Sequence, residues 1–467
     1  MNNTRRRFMK AAAAGGLAYA FGRTPGTVQA QAVGVGGFGD YKALVCVFLA
    51  GGNDSWNMVV PTSTAEYNAY SLSRGGDAGV GSGLAIPQAA LLPLAALNTN
   101  LNGLTLGVHP SMGGLQALFN AGRAAVVANV GPLIRPTTKL QYQTPGWELP
   151  PQLFSHNDQQ DQWHSLRGKA LLKTGWAGRV ADALMAQTGS QQLPMDVSLA
   201  GTTLFQAGVN ARPYVMGASG ATSFSGFGSS GITQARREAF LRVVDAAMAS
   251  TSNTPYERAI AGVQRRAVQY ADTVNGALTF ARSFTALPDS GVTLSSLSTQ
   301  LRTVAKMISV RDRLSMSRQI FFVQVGGFDT HDDLVALQPN LLGDISTSIK
   351  AFHDSLSEMQ MESSVTLFTH SDFGRTLTSN GDGSDHGWGG IQLAVGGAVR
   401  GQMIYGDYPL LEVGSTQEVG GGRFIPAVSA DQYAATLATW FGVGDAELAQ
   451  VAPSINNFGV RNLGFLG

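Results

Sequence analysis

Four predominantly apolar runs of strand length recur along the chain, and each is followed by glycine or polar residues. The runs are rich in β-branched and aromatic residues and lack the regular alternation of a half-exposed strand. Such runs are typical of strands buried on both faces of a sheet. The predicted strands span residues 42–50, 123–130, 318–325 and 364–369.

Helical patterns separate these strands and cover residues 111–120, 232–249, 256–280, 297–310 and 341–359. Alternation of buried strands with helices favours an α/β fold built on a mostly parallel sheet. We therefore predict a three-layer α/β/α sandwich, with helical and loop insertions, as one domain over residues 33–467. The substrate pocket is predicted from residues 190–230 and the loop 376–390.

Acidic residues and histidines follow the predicted strands at the point where each strand ends. Asp54 follows the first strand, Asp329 and His331 follow the third, and Asp372 follows the fourth. A single Asp in such a loop is usually a helix N-cap or a turn residue. Ligands, however, collect at the carboxyl ends of strands in open α/β sheets. The recurrence at three strand ends therefore predicts a site there.

A glycine-rich stretch at 380–390 adds His386 to this set. The stretch has too many glycines for a regular element and contains Trp388, so we interpret it as a loop of the site. Carboxylates with imidazoles and no cysteine cluster are the ligand set of a zinc, manganese or calcium site. Metal-assisted hydrolysis is the reaction class that this donor set predicts. Walker A, dinucleotide-binding and G-x-S-x-G patterns are absent from the sequence, which disfavours NTPases, dehydrogenases and α/β-hydrolases.

The N-terminus has the features of a twin-arginine export signal. Residues 4–10 read TRRRFMK, a mild Ala- and Gly-rich stretch follows, and A-x-A cleavage patterns end at Ala30 and Ala32. This predicts a signal peptide over residues 1–32, the twin-arginine translocase as a partner, and a periplasmic or exported protein. Residues 1–32 carry five basic and no acidic side chains, so their removal changes the formal charge from +1 to −4.

Composition narrows the remaining classes. Charged residues make up 13% of the chain, which disfavours a nucleic-acid binder, and no apolar run is long enough for a transmembrane helix. The single cysteine, Cys46, lies in an apolar run and cannot form a disulfide within the chain. Long Gly/Ser segments on a weakly charged surface are also compatible with a binding module.

Several segments together resemble the twin-arginine-exported "domain of unknown function 1501" family. They are FLAGGNDSWNMVVP (48–61), LGVHPSMGGLQALFNAGRAAVVANVGPL (106–133), QLFSHNDQQDQW (152–163), TGWAGR (174–179), VGGFDTH (325–331), HSDFGRT (370–376), SDHGWGG (384–390) and QYAATLATWFGV (432–443). The resemblance covers most of the chain after residue 32. It implies a fold similar to the alkaline phosphatase and sulfatase superfamily, and it implies no particular activity.

The superfamily resemblance implies an order of site residues along the chain. Asp54, Asp329, His331, Asp372 and His386 follow the order of its metal ligands. The nucleophile is expected after Val130. Ser155 is the best candidate because a predicted helix begins there, although the same residue could simply cap that helix; Thr137 and Thr138 are weaker alternatives.

The sequence departs from the superfamily pattern after Asp372, where Phe373 stands in place of a histidine. Either His370 replaces that ligand, if the strand continues through Asp372, or the site holds one metal. Arg375 could bind a phosphate or sulfate oxygen bidentately or form a structural salt bridge.

Three hypotheses follow. The first is an exported metal-dependent hydrolase of a small anionic phosphate or sulfate ester, with Ser155 and Arg375 at the reacting group. The second is a catalytically inactive, metal-stabilised binding or assembly module of the envelope. The third, an oxidoreductase, rests only on the export route.

Overall fold

The computed structural model describes residues 37–98, 103–170, 172–189, 191–222 and 224–467, and Gly37–Gly467 forms one compact unit. The predicted signal peptide at 1–32 lies outside the described residues. None of the described helices is long and apolar enough to cross a membrane.

Fourteen strands and eleven α-helices are found in the described part of the chain. The strands are β1 Lys42–Leu49, β2 Val59–Pro61, β3 Leu92–Pro93, β4 Leu106–Val108, β5 Ala124–Gly131, β6 Asp196–Ser198, β7 Tyr214–Val215, β8 Arg318–Val325, β9 Val365–Ser371, β10 Arg375–Ser379, β11 Ser384–His386, β12 Gly390–Val395, β13 Ile404–Tyr405 and β14 Val428–Ser429. The helices are α1 Thr64–Ser73, α2 Gly113–Asn120, α3 Lys139–Tyr142, α4 His156–Ser165, α5 Trp176–Leu184, α6 Gly231–Ala249, α7 Pro255–Leu278, α8 Ser296–Ser309, α9 Leu334–Glu358, α10 Ala430–Phe441 and α11 Leu448–Val451.

The central sheet contains nine strands in the order β13-β5-β12-β9-β1-β8-β6-β7, with β14 also paired to β5. Strand β12 runs antiparallel to both of its neighbours, and the other pairs in this sheet are parallel. The prediction of an α/β fold with a mostly parallel sheet is therefore confirmed. The four apolar runs all became strands of this sheet, because each buries both of its faces.

Side chains of β1 alternate between two hydrophobic cores, one on each face of the sheet. Val45 and Val47 belong to a core that also contains side chains of α2, α8 and α9. Cys46 and Phe48 belong to the opposite core, which contains side chains of α5 and α10. The period of two in a strand produces this alternation. Buried Cys46 packs as a small apolar side chain, and burial raises the pKa of its thiol.

Strands β1, β8 and β9 are adjacent and parallel, so their carboxyl ends lie at one edge of the sheet. The loops after Leu49, Val325 and Ser371 start at that edge. The antiparallel hairpin of β10 and β11 brings His386 opposite Arg375. Part of the stretch predicted as a loop of the site is thus a short hairpin.

Candidate metal centre

Three imidazole rings converge on one carboxylate oxygen at the carboxyl edge of the sheet. The Nε2 atoms of His331, His156 and His386 lie 3.2, 3.4 and 3.7 Å from Oδ1 of Asp329. The Nε2 atoms of His331 and His386 are 2.9 Å apart. Ligand atoms of His156, Asp329 and His386 all lie within 4.8 Å of one another. The arrangement is open to solvent on one side, where half of the Asp329 side chain is exposed.

The Nδ1 atom of each of these rings lies within hydrogen-bonding distance of an oxygen atom of the protein. His386 Nδ1 lies 2.7 Å from the carbonyl oxygen of Phe154, His156 Nδ1 lies 2.7 Å from Oδ2 of Asp372, and His331 Nδ1 lies 3.1 Å from Oδ1 of Asp385. Carbonyl and carboxylate oxygens accept, so each ring donates from Nδ1 and, in its neutral form, keeps the lone pair on Nε2. Metal-binding histidines are oriented by acceptors in this way.

Four of the six distances among the donor atoms match a metal ion with short bonds, and the ligand atoms that all lie within 4.8 Å of one another are those of His156, Asp329 and His386. A tetrahedral zinc ion with bonds of about 2.0 to 2.1 Å separates its ligand atoms by about 3.3 Å, and the contacts above range from 2.9 to 3.7 Å. His156 Nε2 is buried and has no hydrogen-bond partner. Two facing Nε2 lone pairs, on His331 and His386, also repel each other unless a proton or a cation lies between them. The residues present therefore fit a bound cation.

Burial and neighbouring charges shift the pKa values of these side chains in different directions. The hydrogen bond to Asp372 raises the pKa of His156, whereas burial lowers the pKa of His386. Burial opposes ionisation of Asp329, but the hydrogen bond and charge of Arg375 outweigh it, and the pKa of Asp329 is lowered. Asp329 is therefore an anion at neutral pH, as a metal ligand must be.

Arg375 holds Asp329 in place and uses four of its five N–H donors within the protein. Its buried guanidinium donates to the Asp329 carboxylate and to the carbonyl oxygens of Gly52, Gly51 and Ser384. Every Arg375 nitrogen is thus used within the protein. This pattern of contacts matches the salt-bridge alternative for Arg375.

Asp54 is not brought into the group. Its Oδ2 accepts from Arg74 Nη2 at 2.6 Å and from the Ser384 hydroxyl at 3.0 Å, and both members of this ion pair are buried. Arg74 also donates to Asn57 Oδ1. The charge of Asp54 is neutralised by an arginine, in the place where the sequence predicted a metal.

Asp372 contacts the three histidines and Asp329 only through His156. Besides His156, its Oδ2 accepts from Gln160 Nε2 at 3.0 Å, and its Oδ1 accepts from the amide of Gly51 at 3.2 Å. Its carboxylate is completely buried. Asp372 therefore orients His156 rather than facing the other rings.

His370 packs on the side of the sheet that holds the core of Cys46 and Phe48, where its ring contacts Phe48. Strand β9 ends at Ser371, so the alternation that would have put His370 and Asp372 on one face does not extend to Asp372. The His370 ring stacks on Trp163 at 5.5 Å and contacts Phe48 and His164. Burial lowers the pKa of His370 well below its usual value. Its proposed substitution for the missing ligand is contradicted by this packing.

The model of the protein family "Protein of unknown function (DUF1501)" matches residues 41–420. This chain belongs to the DUF1501 family. No curated protein matches this DUF1501 chain. A crystal structure of Ps i-CgsB in complex with k-i-k-neocarrahexaose is similar to it, with 12% identity over 90% of this chain and 77% of the other, and a TM-score of 0.33. A score this low carries no argument about function.

The predicted nucleophile of this DUF1501 chain, Ser155, directly precedes His156 in the sequence. Ser155 is the N-cap residue of α4, between Phe154 and His156, and its hydroxyl donates to Asp158 Oδ2 at 2.8 Å instead of capping a backbone amide. The weaker alternatives have structural partners: Thr137 accepts from Trp147 Nε1, and Thr138 forms the capping box of α3.

Sequence reasoning missed His156 and Arg423. His156 begins helix α4 directly after Ser155, and its position next to the predicted nucleophile was the available signal. Arg423 donates from Nε to the carbonyl oxygen of His386 at 3.0 Å and covers the ring of Phe154 at 4.8 Å. Nothing in its sequence neighbourhood distinguishes Arg423 from a surface arginine.

Proposed function

We propose that this chain binds one divalent transition-metal ion through His156, Asp329, His331 and His386 and hydrolyses a small anionic ester. The convergence of three oriented imidazoles on one carboxylate oxygen carries the proposal. Three nitrogen donors favour zinc over manganese and calcium, which prefer oxygen ligands. When bound, such an ion polarises the ester and lowers the pKa of a coordinated nucleophile.

The anionic part of the substrate is assigned to Arg423 in this proposal. Arg423 is partly exposed, lies next to His386 and Phe154, and its Nη2 has no partner among the described residues. A guanidinium with a free edge is suited to phosphate or sulfate oxygens. Arg423 thus takes the role that the sequence assigned to Arg375.

Ser155 is retained as the proposed nucleophile. Its hydroxyl already donates to Asp158, a carboxylate that can accept the proton as the oxygen attacks. Because Ser155 lies at the start of α4, the positive end of the helix dipole would lie next to the anionic group of an ester that Ser155 attacks.

The proposal also covers the layer architecture of the fold and the cellular location of the protein. We propose that the sheet and its two flanking cores form a three-layer sandwich of the alkaline phosphatase and sulfatase type. We further propose that residues 1–32 direct the chain through the twin-arginine translocase to the periplasm or beyond.

A metal-stabilised binding module is the second candidate. The Asp54–Arg74 pair takes up a carboxylate that a second metal would need. A chain with one metal and without the second metal of the superfamily pattern would bind a ligand rather than hydrolyse it.

The test combines metal analysis, an optical probe and an activity screen. The exported protein is analysed for bound metal and then reloaded with Co²⁺, whose visible absorption reports nitrogen ligation and coordination number. Asp329→Asn and His156→Gln are compared with Asp332→Asn, an exposed change in the same loop. p-Nitrophenyl phosphate and p-nitrophenyl sulfate then serve as substrates.

We expect one metal per chain in the parent and in Asp332→Asn, and loss of the metal and of the Co²⁺ bands in the two site variants. Hydrolysis that disappears in Ser155→Ala, with the metal retained, supports the enzyme. Metal without hydrolysis of either ester favours the binding module. A folded parent that binds no divalent ion overturns both.

A further inference from the structure

An open cleft of about 790 Å³ lies at the edge of the sheet opposite to the metal centre. It is lined by residues that precede or begin β6 and β7, together with the end of α5 and one face of α7. The metal centre is instead built on loops that follow β8 and β9. Part of the segment 190–230 lines this cleft, and the loop 376–390 does not.

The walls and rim of the cleft are largely apolar and partly exposed. Met185, Val215 and Val263 line it and keep 42%, 41% and 58% of their surface in contact with solvent. Tyr214 and Tyr270 form an edge-to-face pair along the same wall, with ring centres 5.7 Å apart. Exposed apolar side chains gathered around one concavity are typical of a binding site.

Two arginines give the cleft a positive charge. Arg212 and Arg266 both line it and are both exposed. Arg212 donates from Nη1 to the carbonyl oxygens of Gly208 and Ala211. Neither guanidinium has a carboxylate partner in the part of the chain that the structure describes. Their charge is therefore available to an anionic ligand.

The one acidic residue among those lining the cleft is buried. Asp196 begins β6, is 1% exposed, and neither of its carboxylate oxygens has a hydrogen-bond partner. Burial raises the pKa of Asp196 well above its usual value, which favours the neutral acid over the carboxylate. Its two unpartnered oxygen atoms belong to a residue that lines the cleft.

We propose that this cleft binds one molecule of an amphiphile that has a single anionic head and an alkyl chain, as a fatty acid has. The head contacts Arg212 and Arg266, and the chain lies against Met185, Val215 and Val263. The cleft falls within the range of roughly 300 to 1,000 Å³ of small-molecule sites. Because it lies at the opposite sheet edge, this site is independent of the metal centre.

Isothermal titration with dodecanoate below its micelle concentration tests the proposal. The parent is compared with Arg212→Gln/Arg266→Gln, and with Arg242→Gln/Arg282→Gln, which removes two exposed arginines that do not line the cleft. Ala267→Trp fills the cleft from the exposed face of α7. Dodecyltrimethylammonium supplies the same chain with the opposite charge.

We expect saturable binding of one dodecanoate, weakened about tenfold in the cleft double variant because two exposed charge contacts with the carboxylate are removed. Binding should be lost in Ala267→Trp and unchanged in the control double variant and in metal-free Asp329→Asn. Equal binding of the cationic amphiphile, unsaturable uptake, or no effect of the arginines would overturn the proposal. So would sedimentation showing a dimer of the parent that Ala267→Trp dissociates, because a second copy would then occupy the cleft.

Discussion

The buried pair between Asp54 and Arg74 separates a structural role for Asp54 from the role of metal ligand. Asp54 Oδ2 and Arg74 Nη2 are 2.6 Å apart, and the two side chains are 1% and 0% exposed. Arg74 also donates to the carbonyl oxygens of Thr376 and Leu377, just after Arg375. The pair therefore links the first strand's loop to the segment that carries the site hairpin.

Breaking this pair from one side leaves a buried charge without compensation. Removal of one member of a buried ion pair lowers the free energy of unfolding by about 3 to 5 kcal/mol. We expect that loss for Asp54→Asn, which keeps the shape of the side chain, and for Arg74→Met. The double variant should lose much less than the two single losses added together, since neither charge remains.

The assay is urea unfolding followed by tryptophan fluorescence and circular dichroism, with metal content measured on the same samples. Asp54→Asn should unfold at lower urea and still retain its metal. The exposed pair of Arg265 and Asp245, 2.9 Å apart, is the matched control, and breaking it should change stability by less than about 1 kcal/mol. Loss of the metal in Asp54→Asn at unchanged stability would refute the structural role and restore Asp54 as a ligand.

Three further predictions concern the surroundings of the site. Gly383→Ala should weaken metal affinity at least about tenfold in a chelator competition, because an added Cβ would lie 2.2 Å from the carbonyl oxygen of His331, whereas Gly326→Ala, which meets open space, should not. His370→Phe should keep the metal, and its retention is measured by elemental analysis; loss of metal would place His370 back among the ligands. Burial lowers the pKa of His164 from 6.5 to about 4, so the unfolded chain takes up a proton first as the pH falls. The free energy of unfolding should therefore be unaffected by this group well above pH 6.5 and fall by about 2 kcal/mol by pH 5, and His164→Phe should remove that part of the slope in urea titrations at each pH; an identical slope in the variant would contradict it.

The strands could be predicted from the sequence because a strand that is buried on both faces consists mostly of apolar residues. Arg318–Val325 was predicted with the bounds that the structure has, and the rule about carboxyl ends placed Asp329 and His331 at the correct edge. The glycine-rich composition around His386 likewise indicated a site loop.

The partners of individual side chains could not be predicted in the same way. Asp54 has Arg74 as its partner and His156 has Asp372, a residue 216 positions away, and such pairings depend on how separate loops pack. Whether Asp372 shares a face with His370 depended on where β9 ends, and the strand ends one residue before Asp372. Arg375 and Arg423 differ in burial and in which neighbours use their donors, and both differences depend on how the loops pack.

Anomalous diffraction at the zinc edge from crystals of the protein purified without added metal, repeated after soaking in zinc, tests the central claim most directly. We predict a single strong peak about 2.0 to 2.2 Å from the Nε2 atoms of His156, His331 and His386 and from the carboxylate of Asp329. A zinc-soaked crystal without a peak at these atoms, or with its peak between Asp54 and Asp372, would contradict the account.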